Sequence, residues 1–123
     1  GHLTHISRYD AGDHLTLDST TRRNLEIFAP IHADGKDSSL LSVLDETATP
    51  MGARLLRKWL SRPLRSTERL GHRLDAIALL SSHRELRDKL RMEFKELGDI
   101  ERLLARFSGA RQIAPRDFLM LKF

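Results

Sequence analysis

The sequence has 123 residues, of which 40% are hydrophobic, 31% are charged and none is cysteine. A chain of this length forms one domain with a modest apolar core, and its composition excludes both a disordered chain and a membrane protein. The chain has 21 Lys and Arg against 17 Asp and Glu, which gives a net charge of +4. Most of the basic and acidic residues alternate along the chain, as they do on solvated helix faces.

The first predicted elements are an extended N-terminal arm over residues 1–17 and a short helix. Leu15-Thr16-Leu17 alternates apolar and polar side chains after a turn-rich segment, which indicates extended backbone. Asp18 is a good N-cap, because its carboxylate can accept the unpaired backbone N–H groups of a first turn. We expect this helix to run through Phe28 and to stop at Pro30.

Two further helices are predicted before residue 62. The first has an apolar face formed by Leu40, Leu41, Val43 and Leu44. In the second, Thr49 supplies a capping hydroxyl and Pro50 occupies the first helical position, where its missing N–H costs nothing. The spacing of its apolar residues predicts one buried face, formed by Leu55, Leu56, Trp59 and Leu60. The single tryptophan is therefore predicted to lie in the core.

Arg62-Pro63 interrupts the helical pattern, since the residue before a proline avoids helical backbone. Ser66 starts the next helix, and Ser82 with Glu85 predicts a capping box for the one after it. The apolar stripes expected on these two helices are Leu70, Leu74, Ile77 and Ala78, and then Leu86, Leu90, Phe94 and Leu97.

Gly98 marks the next break, and Asp99 is predicted to cap a helix with an apolar stripe that includes Leu103 and Phe107. Pro115 is predicted to open a final helix, whose apolar residues Phe118, Leu121 and Phe123 favour self-association when no other helix covers them. The sequence therefore predicts an all-α fold, an irregular bundle of six or seven helices after a short extended N-terminal segment.

The sequence predicts no catalytic, cofactor-binding or metal site. The seven glycines are isolated from one another, so neither a phosphate-binding loop nor a dinucleotide fingerprint can form. The N-terminal histidines His2, His5 and His14 lack the further ligands that a zinc site needs. Asp99 and Glu101 suit a helix start, where the helix dipole favours negative charge, better than acid–base chemistry.

An alternative is a small DNA-binding module of the helix-turn-helix type over residues 85–107. Its second helix offers Arg102 and Arg106 as candidate DNA contacts. The apolar residues of that helix occupy one face, which argues against its lying in a DNA groove.

Several longer strings resemble the core domain of the MutS family of DNA mismatch repair proteins. They are LTLDSTTRRNLEI at residues 15–27, LLSVLDETATPMGARLLRKWL at 40–60 with PL at 63–64, RLDA at 73–76, LGDIERLLAR at 97–106 and APRD at 114–117. These strings occur in the family's order. The residues that match the family pattern are Asp18, Asn24, Asp45, Thr49, Pro50, Gly52, Arg54, Trp59, Asp99, Glu101 and Arg102.

The resemblance implies that residues 18–123 are part of a helical core, or lever, domain that joins a DNA clamp to an ATPase. We expect the chain to stop before the clamp domain. Gly1-His2 is consistent with a remnant of cloning. The family implies a bacterial, cytoplasmic protein that binds mismatched double-stranded DNA as a dimer, uses ATP and Mg²⁺ and recruits MutL. Because the family's mismatch-reading and ATPase motifs are absent here, we expect this chain to carry no catalytic site and no cofactor of its own.

Overall fold

A computed structural model describes residues 12–32 and 38–108 of the chain. Six helices form within these residues, and they confirm the predicted all-α, irregular bundle. In chain order they are α1 (Ser19–Asn24), α2 (Leu40–Leu44), α3 (Pro50–Ser61), α4 (Thr67–Ser82), α5 (Arg84–Glu96) and α6 (Ile100–Ser108). The helix predicted to open at Pro115 and the first eleven residues of the arm lie outside the described residues.

The described part of the N-terminal arm lies against the connection between α3 and α4. His14 and Leu64 form an isolated antiparallel bridge. The backbone N–H of Leu15 donates to the Pro63 carbonyl at 2.7 Å, and that of Arg65 donates to the Asp13 carbonyl at 2.8 Å. The arm is thus extended at this point, as the alternating residues predict.

Four of the predicted N-caps are confirmed. A side-chain oxygen of Asp18 accepts the N–H of the third residue that follows it at 2.6 Å, and those of Thr49, Ser66 and Asp99 do so at 3.0, 3.3 and 3.2 Å. Ser39, which is buried, caps α2 in the same way at 3.2 Å. Each cap satisfies a backbone donor that the helix start would otherwise leave unpaired.

The prediction that the first helix reaches Phe28 is wrong, because α1 ends at Asn24. Glu26 adopts the left-handed conformation with φ at 49°, which ends the helix. Its N–H donates to the carbonyl of Arg23 at 2.9 Å, and the N–H of Ile27 reaches back to Arg22 at 3.2 Å. This pair of bonds is a Schellman motif, which satisfies the last carbonyls of a helix and is usually built on glycine.

The predicted capping box of Ser82 and Glu85 is also wrong. Ser82 is the last residue of α4, so its hydroxyl donates back to the Leu79 carbonyl of its own helix at 2.9 Å. His83 occupies the N-cap position of α5 without a side-chain bond to that helix. The break between α4 and α5 lies one residue later than predicted, so Ser82 cannot cap α5.

Few of the predicted apolar stripes are buried within the described residues. The buried hydrophobic side chains there are Ile27, Leu64 and Leu103. The stripes predicted on α2, α3, α4 and α5 instead leave large side chains exposed, namely Leu40, Val43, Leu44, Leu55, Trp59, Leu70, Leu74, Ile77, Leu86 and Phe94. The periodicity correctly identified amphipathic faces, but it wrongly assigned them to a shared core.

Trp59 illustrates this correction. Its side chain was predicted to lie in the core, but it is 39% exposed. The Arg73 guanidinium of α4 lies over its ring, 3.6 Å from the centroid. Partial burial there lowers the pKa of Arg73, and nearby Arg69 lowers it further. Trp59 thus joins α3 to α4 by a cation–π contact, which a half-exposed indole can make.

Candidate functional site

The most developed polar site of the described residues is an ion-pair cluster between α3 and α6. Arg54, in the second turn of α3, donates to Asp99 through two parallel bonds of 2.8 and 2.7 Å, one to each carboxylate oxygen. It also donates to one oxygen of Glu101 from Nε at 3.1 Å and from a terminal nitrogen at 2.7 Å. One guanidinium therefore binds two carboxylates that lie in or beside the first turn of another helix.

Asp99 has two roles in this cluster. It caps α6 by accepting the N–H of Arg102 at 3.2 Å, and it receives the two bonds from Arg54. Its side chain is 18% exposed, and the Arg102 side chain approaches it at 3.5 Å. The start of α6 is therefore held at a fixed place on α3.

The charges in the cluster stabilise one another. Hydrogen bonds from Arg54 lower the pKa of Asp99 to about 2, although partial burial acts in the opposite direction. Asp99 and then Glu101 raise the pKa of the Arg54 guanidinium above its ordinary value. A carboxylate that stays charged near neutral pH and is held by a bidentate partner is a poor proton donor, so the arrangement suits positioning better than acid–base chemistry.

The structure brings Arg54, Asp99, Glu101 and Arg102 together, although the sequence analysis assigns them separate structural roles. Residues 54 and 99 are separated by 45 positions. No local pattern predicts which of many surface carboxylates an arginine binds at that distance. The presence of all four residues in the strings that resemble the MutS family was the one signal that could have grouped them.

The other residues of the family pattern do not join this cluster. Asp45 follows α2, where the hydroxyl of Thr47 donates to it at 2.6 Å and lowers its pKa. Asn24 ends α1 as an exposed residue, and Asp18 caps the start of the same helix. The hydrogen bond that Asp18 accepts from the backbone N–H of Thr21 is the main cause of its lowered pKa. These residues shape helix ends.

Thr49, Pro50 and Gly52 form the start of α3. Pro50 occupies the first turn, and the N–H of Gly52 donates to the Thr49 hydroxyl. A Cβ at Gly52 would lie 3.2 Å from the Thr49 hydroxyl oxygen and 3.3 Å from the Cβ of Thr47. The start of α3 therefore packs closely against these two threonines at Gly52.

The alternative of a DNA-reading helix is not favoured. The side chain of Arg102 turns towards Asp99 at the start of its own helix, and Leu103 beside it is buried. Arg106 lies in the last turn of α6 and is exposed. The helix thus uses its N-terminal turn to contact α3, which is the end that would approach base edges in such a module.

Neither a metal-binding cluster nor a membrane-spanning helix is present among the described residues. No group of three or more His, Cys, Asp or Glu side chains there could hold a metal ion. His2 and His5 lie outside the described range. In the same part of the chain, none of the helices has the length and apolar character needed to cross a membrane.

Comparison with known proteins identifies the family. The chain is 47% identical over 121 residues to the DNA mismatch repair protein MutS of Salinibacter ruber, a match that covers 98% of this chain and 13% of that protein. It is 43% identical over 122 residues to the protein of the same name from Methanococcoides burtonii, covering 99% of this chain and 14% of that protein. Residues 20–122 match the family of MutS domain III. The chain therefore belongs to the MutS domain III family, and it spans about 13% to 14% of the length of these relatives.

Proposed function

We propose that this chain is the helical core segment of a longer DNA mismatch repair protein, in which it connects the part that grips DNA to the part that uses ATP. The longer protein would bind mismatched double-stranded DNA as a dimer, use ATP with Mg²⁺ and act with MutL. This segment would contribute no catalytic group and no cofactor ligand. The names of the relatives and the match to domain III support this role.

The Arg54 cluster is the observation that carries the proposal. A segment that transmits movement must resist bending between its ends. Arg54 joins α3 to α6 by four hydrogen bonds to two carboxylates, and the paired bonds to Asp99 fix the angle as well as the distance. Few apolar side chains of the described residues are buried, so this polar junction supplies stiffness that the small core does not.

A cytoplasmic location in a bacterial cell belongs to the same proposal. A protein that repairs mismatches must reach chromosomal DNA, which in bacteria lies in the cytoplasm.

The proposal is tested by replacing Arg54 with Lys in the longer protein. Lysine keeps the positive charge but loses the planar fork that binds both oxygens of Asp99. We expect mismatched DNA to be bound as before and to be released more slowly after ATP is added, as followed by surface plasmon resonance. Arg84→Ala is the control, because Arg84 makes only an exposed contact of 3.5 Å with Asp88 of its own helix.

Two results would count against this role. Unchanged ATP-driven release by the Arg54→Lys protein would show that the junction transmits nothing. Equal slowing in the Arg84→Ala control would show that the assay reports a general loss of stability. Circular dichroism of both variants establishes that the comparison is made between folded proteins.

A further inference from the structure

A second feature of the described surface is an apolar cleft between α3, α4 and α5. It has a volume of about 360 Å³ and is formed on one side by residues 46–49 and Gly52. Leu80 of α4 and Leu90 and Phe94 of α5 form the other side. Leu80 and Leu90 are partly buried, whereas Phe94 is exposed at the edge. A cleft of this size accepts one or two apolar side chains.

Gly52 keeps the cleft open at the start of α3. A side chain there would press on Thr47 and Thr49, which line the same cleft. The absence of a Cβ at Gly52 thus leaves the two threonines in place. The wall formed by residues 46–49 is the connection between α2 and α3.

The rim of the cleft is positively charged. Arg87 and Arg91 line it from α5, and Glu46 is the one acidic residue among its lining residues. Arg87 has only a distant contact with Asp88 at 3.7 Å, and Arg91 forms no ion pair with any described carboxylate. An exposed arginine beside apolar residues complements a ligand that carries a carboxylate next to an apolar side chain.

We propose that this cleft binds an acidic and apolar peptide segment of the longer protein, which places an apolar side chain between Leu90 and Gly52 and a carboxylate at Arg91. The small size of the cleft favours a segment of the same polypeptide. A free peptide that inserts only one or two side chains would bind weakly. A segment covalently linked to this chain binds better, because its effective concentration is high. The relatives extend well beyond this chain, which spans 13% to 14% of their length.

The inference rests on the proposed place of the chain in a longer protein, but its test needs neither DNA nor ATP. The chain has no cysteine, so Ala48→Cys adds one thiol within the cleft. Its rate of reaction with N-ethylmaleimide is measured by mass spectrometry in the 123-residue chain and in the longer protein. We expect labelling to be at least about tenfold slower in the longer protein, as for a cleft that is occupied about 90% of the time.

Charge variants in the longer protein identify the partner's chemistry. Arg91→Glu should return the labelling rate at position 48 to that of the 123-residue chain, whereas Arg91→Lys should keep it slow. Met92→Cys is the matched control on the same helix, because Met92 is 70% exposed and should react at similar rates in both proteins.

Four outcomes would overturn the proposal. Equal labelling rates at position 48 in both proteins would show that the cleft is empty in the longer protein. Equal slowing of labelling at positions 48 and 92 in the longer protein would indicate general burial. Protection that increases with the concentration of the isolated chain would assign the cleft to a second copy. Persistent protection in the Arg91→Glu protein would exclude a carboxylate partner. None of these results bears on ATP-driven release, so the two proposals can fail separately.

Discussion

Leu103→Ala should be one of the most destabilising single truncations in the described part of the chain. Leu103 is 2% exposed, and it is one of three hydrophobic side chains buried there. Removing a buried leucine side chain costs about 2–5 kcal/mol, from lost transfer free energy and from the cavity that remains. Its neighbour Leu104 is 55% exposed, so the same truncation there should cost about 1 kcal/mol or less.

Urea unfolding followed by circular dichroism measures this difference. With a slope of about 2 kcal/mol per molar urea, a loss of about 3 kcal/mol lowers the midpoint by about 1.5 M. Leu103→Met should recover most of the stability, because it nearly conserves volume. Equal midpoints for Leu103→Ala and Leu104→Ala would refute the reasoning, since the difference in burial would then have no energetic consequence.

Four further outcomes are expected. Ser39→Ala should cost about 1 kcal/mol through loss of a buried N-cap, whereas Ser81→Ala in the exposed last turn of α4 should change the free energy of unfolding little, as measured in urea. Glu26→Gly should be more stable than Glu26→Ala by about 1 kcal/mol, because alanine retains the strain of a positive φ; equal midpoints would contradict this. Since the pKa of Asp99 is lowered from 3.8 to about 2, its charge stabilises the fold above that range and the effect is lost as the pH falls through it; Asp99→Asn, which keeps an N-cap, should show a flatter acid denaturation curve. The isolated chain should self-associate with rising concentration in light scattering, and Leu74→Glu should reduce this because it places a charge in the exposed stripe of α4.

The features that the sequence predicted correctly depend on neighbouring residues. Asp18, Thr49, Ser66 and Asp99 cap helices because each lies three positions before the backbone donor that it binds. The break at Pro63 is also local, since proline restricts the residue before it. The exception was Ser82, where an error of one residue in the helix end moved the hydroxyl from a cap into the helix.

The features that the sequence could not predict depend on distant residues. The pairing of Arg54 with Asp99 requires the whole path of the chain between them, and many carboxylates would have satisfied a local rule equally well. The prediction of where α1 ends was wrong for a related reason. Glutamate is an uncommon residue for a left-handed helix end, and its side chain is used to accept the N–H of Ile31 at 2.7 Å, a contact that appears only when the following loop is folded.

The exposed apolar stripes connect these two kinds of result. An amphipathic pattern states that one face of a helix avoids water in the functional molecule, but it does not state what covers that face. Leu70, Leu74 and Ile77 lie on one face of α4, and all three are exposed in this chain. The proposed connecting role accounts for both observations, because the Arg54 junction orients α3 and α6 while the exposed apolar faces and the cleft are available to other parts of a longer protein. On that proposal, the exposed apolar faces of the described helices and the Arg54 cluster have the same cause.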